Sequence, residues 1–274
     1  MGNMTADTTG ASPGEQIMIA AIPNLRDLGG WPTPDGHVRY GVLFRSAEFS
    51  NLQGDDAAAF ARLGIRTVYD LRTQAERGQQ PNQVPAGTEY VVLDILKDSS
   101  QAGAAQLLAV LADPKAAEAM LGDGKAVTLF KESYRQLITL PSALAGYRQF
   151  FSAIAEDEHT PALFHCTTGK DRTGWAAVAT LLLLGVSHDD VLADYLLTND
   201  QLLPALQPVL DRFTSIGGDP ELLMPVVGVQ REYLETALDE MRRQYKTIDG
   251  YFSQGLTLDA ATIDKLRAKL TARS

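Results

Sequence analysis

The segment from Pro161 to Leu184 constrains the fold more than any other part of the chain. Pro161-Ala162-Leu163-Phe164-His165 reads as a short strand buried on both faces, and Trp175 to Leu184 as an apolar helix. Only the loop His165-Cys166-Thr167-Thr168-Gly169-Lys170-Asp171-Arg172-Thr173-Gly174 separates them. A strand with no polar alternation needs cover on both sides, which sheets with helices on each face supply. Ile65 to Tyr69, ending at Asp70, and Tyr90 to Leu93 repeat the strand signal, and Asp55 to Leu63 has helical spacing that stops at Gly64. The pattern is α/β, with an almost wholly helical C-terminal third from Arg172 onward. Before it, Val38 to Phe44 reads as one extended run after the turn Pro32-Thr33-Pro34-Asp35-Gly36.

The same loop carries the chemistry. Where a strand passes through a tight loop into a helix N-terminus, free backbone N–H groups converge and the helix dipole adds positive charge, so an anion is held there. A cysteine at that mouth has its thiol pKa lowered from the free value of about 8.5 and becomes a nucleophile. Arg172, six residues on, can fold back with a planar fork that matches two phosphate oxygens. Cys-x5-Arg alone is weak. The preceding strand and His165, the internal Gly169, the helix-start Arg172 and the following hydroxyl of Thr173 make it strong. The plainer alternatives are a buried inert thiol and a helix-cap salt bridge.

Other chemistries are narrowed by composition. Cys166 is the single cysteine among 274 residues, and His37, His159, His165 and His188 show no ligand spacing. No intrachain disulfide or thiolate-rich metal cluster can form, and no metal or other cofactor is expected. With 24 Lys+Arg against 34 Asp+Glu, the formal charge of −10 opposes nucleic acid and anionic membrane, so an anionic substrate needs a local positive site. No apolar run approaches the roughly 18 residues of a spanning helix. The N-terminus lacks the pattern of a secretory signal, so the chain reads as cytoplasmic by default, with export by another route left open. Residues 1–16 read as a flexible tail, 17–274 as one domain, and the Ala-rich helical stretch 97–131 as a candidate lid.

These residues resemble the Cys-based protein tyrosine phosphatases, in particular the mycobacterial members and their bacterial relatives. Beyond the loop, Asn24-Leu25-Arg26-Asp27, Leu43-Phe44-Arg45-Ser46, Val68-Tyr69-Asp70-Leu71-Arg72, Ala193-Asp194-Tyr195-Leu196 and Gly228-Val229-Gln230-Arg231-Glu232-Tyr233-Leu234 are similar to that family's landmarks in the same order. The resemblance implies a small, mostly parallel central sheet flanked by helices, with a two-helix lid. It also implies that Cys166 attacks phosphate, that Arg172 binds it, that Thr173 assists the thiolate, and that Thr167, Thr168, Gly169, Lys170 and Asp171 line the anion site. Phosphotyrosine is the first substrate class, with phosphoserine, phosphothreonine and phosphoinositides kept open. The leaving oxygen needs a proton from a neutral carboxylic acid; the resemblance favours Asp98, while Asp94 and Asp171 stay open.

Around the loop, Lys170 either meets further phosphates, as in phosphoinositide phosphatases, or is solvated on the rim. Asp171 should turn outward to pair with a base or orient water. His165 reads as a loop-orienting group more than an acid-base group, Asp70 and Arg72 as an ion pair or a substrate contact, and Asn199 and Asp200 as candidate rim residues.

Overall fold

The computed structural model describes residues 12–99 and 112–273. Among these residues eight strands form two sheets: β1 (Arg26–Asp27), β2 (Pro32–Thr33), β3 (Gly36–Val38), β4 (Leu43–Ser46), β5 (Thr67–Asp70), β6 (Glu89–Val92), β7 (Ala162–His165) and β8 (Thr271–Arg273). The central sheet has the order β1-β4-β7-β5-β6, parallel except for β1. The strand expected from Val38 to Phe44 is two strands. Gly41 takes a left-handed φ of 72°, and the break sends β3 into a separate antiparallel sheet with β2 and β8.

The main helices among the described residues are α1 (Gly54–Arg62), α2 (Gln74–Gln79), α3 (Pro114–Leu121), α4 (Lys125–Thr139), α5 (Pro141–Ile154), α6 (Arg172–Leu183), α7 (His188–Ser215), α8 (Arg231–Tyr245) and α9 (Ala260–Leu270). Strand side chains alternate between two cores, as a period of two requires. Leu43, Tyr69, Ala162 and Phe164 face the larger core with α5 and α6, while Phe44, Val68 and Leu163 face a smaller one with Phe60 of α1. A third apolar cluster joins Ala117 and Leu121 of α3, Ala126 of α4, Leu210 and Phe213 of α7, and Leu223 with Val226 of the helical turn Met224–Val227.

This arrangement positions the site. The register places Ser46, His165 and Asp70 side by side at the carboxyl ends of β4, β7 and β5. The crevice beyond such ends is where open α/β sheets bind ligands. The helix read at Trp175 to Leu184 begins at Arg172. Within 97–131, the helix read at Ala104 to Leu111 lies outside the described residues, as does most of the 1–16 tail.

Candidate active site

The loop from Cys166 to Asp171 is held by its carbonyls. His165 O accepts from Leu71 N at 2.9 Å, Cys166 O from His165 Nδ1 at 2.9 Å and Thr167 O from Glu48 N at 3.1 Å. Asn24 Nδ2 donates to Thr168 O at 3.2 Å and to Gly169 O at 3.1 Å, and Arg45 donates to Gly169 O at 2.9 Å. With these carbonyls bound on the outside, no backbone N–H from Thr167 to Asp171 donates to another group among the described residues. Unpaired backbone donors that converge on one place make an anion site. Gly169 is needed for the turn: its φ is 70°, and a Cβ there would stand 2.3 Å from Ser46 O.

Cys166 lies at the floor of this loop, 1% exposed. Arg172, the first residue of α6, has its carbonyl fixed by Tyr147 Oη at 2.9 Å. Its guanidinium grips Glu76, with Nη1 to Oε2 at 2.7 Å and Nη2 to Oε1 at 2.6 Å. Glu76 also accepts from Thr167 Oγ1 at 2.6 Å and from Thr73 N and Oγ1 at 2.8 and 2.7 Å. Burial alone would raise its carboxyl, but the hydrogen bonds and charge of Arg172 outweigh burial and hold it below the usual carboxylate range. Burial likewise opposes charge on Arg172, and Glu76 reverses this, so the guanidinium is held more firmly protonated than usual.

Glu76 was not singled out from the sequence. Thr73-Gln74-Ala75-Glu76 fits the capping-box pattern, and the box is present at the start of α2. That pattern marks a helix start and carries no sign of a partner 96 residues away.

His165 is fully buried. Nδ1 donates to a carbonyl, so Nε2, 2.7 Å from Asn82 Nδ2, is the acceptor of that amide. Burial lowers its pKa to about 4, which leaves a neutral ring that orients the loop. Thr173 is also fully buried, and its Oγ1 has no partner among the described residues.

Lys170 takes neither orientation expected of it. It turns from the loop into the protein, 4% exposed, where Nζ donates to Val226 O at 2.5 Å and Gly228 O at 3.0 Å and lies 4.4 Å from the Phe130 ring centroid. Burial lowers its pKa, while Asp171 and Cys166 oppose the shift. Asp171 accepts from Tyr134 Oη at 2.8 Å and stands 3.6 Å from the Lys170 ammonium, so its base is the neighbouring lysine. Asp70 and Arg72 form a buried ion pair at 2.7 Å. Asn199 spends both ends of its amide on the Val229 backbone, and Asp200 is exposed.

Of the candidate acids, Asp94 accepts from Gln74 N at 3.3 Å and Leu96 N at 3.2 Å. Asp98 is exposed and accepts from Ser142 N at 2.8 Å in the first turn of α5, with no hydrogen bond to the 166–172 loop. No group of three or more His, Cys, Asp or Glu side chains able to hold a metal occurs among the described residues. A cleft of about 730 Å³ lies at the opposite end of the sheet, beside Val42 and Pro161. Its Lys265 and Lys269 are engaged by Glu156 and Asp157, and its Arg39 donates to the carbonyls of Lys269 and Thr271.

A cysteine floor, an arginine at a helix start and a ring of free N–H groups coincide with a match of residues 17–272 to the model of the tyrosine phosphatase family. The chain belongs to that family. It is 30% identical over 271 residues to the triple specificity protein phosphatase PtpB of Mycobacterium tuberculosis, covering 90% of this chain and 96% of that protein. It is also 30% identical over 252 residues to a Cupriavidus necator protein that carries the name tyrosine-protein phosphatase, covering 90% and 86%. A tyrosine-protein phosphatase of Nostoc commune is 28% identical over 156 residues, covering 56% of this chain and 47% of its own length. The chain is thus a hydrolase of the protein tyrosine phosphatase family, whose substrates are phosphorylated. No described helix is long and apolar enough to cross a membrane.

Proposed function

We propose that this phosphatase hydrolyses phosphotyrosine in proteins through a cysteinyl-phosphate intermediate. The observation that carries the reading is the loop held by its carbonyls around Cys166, with its N–H groups free and Arg172 beside it. Sγ of Cys166, as the thiolate, attacks phosphorus while the bond to the leaving oxygen breaks. The loop N–H groups and Arg172 stabilise charge on the equatorial oxygens. The leaving oxygen takes a proton from Asp98, the most exposed of the three candidate carboxylates. Water then attacks phosphorus, its proton returns to the carboxylate, the S–P bond breaks, and inorganic phosphate leaves. The unpartnered hydroxyl of Thr173 is available to donate to sulfur as the thiolate is re-formed.

Phosphoserine and phosphothreonine are placed second, in keeping with the name of the mycobacterial relative. Phosphoinositides are placed last, because Lys170, the residue that would meet further phosphates, is spent on Val226 and Gly228. Turnover of a panel of phosphopeptides and soluble phosphoinositides by the wild type and Cys166→Ser tests the reading. Release of phosphate from phosphotyrosine peptides by the wild type alone supports it. Equal release by the serine variant, or preference for the inositides, overturns it.

A further inference from the structure

Behind the loop, on the side away from substrate, four polar side chains from three distant segments meet with no exposure at all: Asn24, Arg26, Arg45 and Asp194. Arg45 donates to Asp194 Oδ2 at 2.6 Å and to Gly169 O at 2.9 Å. Arg26 donates to Asp194 Oδ1 at 3.0 Å and to Asn24 Oδ1 at 2.5 Å, and Asn24 passes the chain of bonds on to Thr168 O and Gly169 O. The loop and the first turn of α6 lie close against this cluster: a Cβ on Gly174 would stand 3.7 Å from Arg45 Nη2.

Two guanidiniums against one carboxylate leave one uncompensated positive charge. Burial and the neighbouring Arg26 bring Arg45 down to about 10, with Asp194 and Cys166 pulling it back up, so it is still protonated at neutral pH. Its Nε has no acceptor among the described residues. A cluster serving only as scaffold would be cheaper if neutral, because an unmatched buried charge is costly. Negative charge in the loop, on the Cys166 sulfur and on a bound anion, supplies the match, and charge acts over longer range in a poorly solvated interior than in water.

We propose that Arg45 is a positioning residue of the anion site, a buried cation that touches no substrate, fixes the Gly169 carbonyl and supports the bound anion through the loop from behind. This rests on the phosphatase reading of the loop, and the test separates the two. Tungstate binding is measured by calorimetry in the Cys166→Ser background with Arg45 kept or changed to Met, Gln or Lys. Turnover of p-nitrophenyl phosphate is measured for the same changes with Cys166 intact, and circular dichroism and melting report the fold.

Arg45→Met should weaken tungstate at least about tenfold and lower kcat by a similar factor, the scale of one charged hydrogen bond. Arg45→Lys should recover tungstate binding to within about threefold, whereas Arg45→Gln should not, although both can donate to Gly169 O. A folded Arg45→Met protein with wild-type tungstate affinity overturns the proposal. If that protein does not fold, equal affinities for the Lys and Gln variants overturn it instead. Wild type that hydrolyses no monoester would refute the phosphatase reading, while the tungstate series would still report on Arg45.

Discussion

Glu76 and Arg172 face each other end to end, each carboxylate oxygen on its own guanidinium nitrogen, at 2.6 and 2.7 Å. The pair uses the Nη1–Nη2 end of the fork. Nη2 also donates to Thr167 Oγ1 at 3.4 Å, and Nε makes no hydrogen bond among the described residues, so the carboxylate steadies the arginine through its two Nη groups. Glu76→Ala should therefore lower kcat/KM by about ten- to hundredfold, the scale of a misplaced catalytic group. Glu76→Gln, which keeps an acceptor, should lose less. If Glu76→Ala binds phosphate more tightly than wild type in inhibition assays, the carboxylate is a competitor for the site.

Cys166→Ser should abolish turnover yet retain oxyanion binding, because the loop N–H groups and Arg172 remain. Arg172→Lys keeps charge but loses the two-pronged geometry, and both kcat and kcat/KM should fall. Steady-state kinetics and calorimetry check both. Near wild-type kcat in Arg172→Lys would make the arginine purely structural.

The assignment of Asp98 is checked by leaving-group dependence. Asp98→Asn should slow phenyl phosphate about a hundredfold or more and p-nitrophenyl phosphate far less, since the nitrophenolate leaves without a proton. Asp171→Asn should slow both to a similar degree through loss of the negative charge beside the Lys170 ammonium. The opposite pattern moves the acid to Asp171.

Hydrogen exchange tests whether the 97–131 stretch acts as a lid. Amides of α3 and the start of α4 pack in the third apolar cluster, apart from the main core, and should exchange faster than those of α6. They should slow when vanadate fills the loop. Exchange as slow as in α6 and indifferent to vanadate would mean ordinary packed structure.

His165 gives a pH signature. Its folded pKa of about 4 lies below the unfolded value of 6.5. Its contribution is therefore complete above pH 6.5 and declines as pH falls toward 4, by about 3 kcal/mol over the whole range. Asp27, raised to about 6 by burial, has the opposite sign. Urea unfolding of wild type and His165→Asn at pH 7, 6 and 5 isolates the histidine term: the difference in stability between the two proteins should change with pH. A constant difference would show that folding leaves the pKa of His165 unshifted.

How much of this was legible depends on the range of the interaction. The βα unit around Cys166 could be read because strand, loop and helix are contiguous, and a buried strand has a local pattern. Asn24, Arg26, Arg45 and Asp194 stood out as landmarks without roles, because their meeting point is set by the tertiary fold. Glu76, the third residue of α2, completes the capping box that opens that helix, and its second task lies in a contact across the fold that no local pattern reveals. The direction of Lys170 was not legible because the carbonyls that receive it, Val226 and Gly228, lie far along the chain.

The carbonyls that receive Lys170 belong to residues 56 and 58 positions further along the chain. Asp194, which joins Arg26 to Arg45, also follows the loop. At roughly 5–20 residues per second of synthesis, the nucleophile exists for several seconds before the parts that seat its loop have been made. A ribosome-bound chain that has just completed the Cys166 segment therefore holds every reacting group and still lacks the backing that keeps them aligned. The backing of the loop is complete only once residues 194–228 have closed on it, so an unfinished chain is expected to hydrolyse no phosphomonoester.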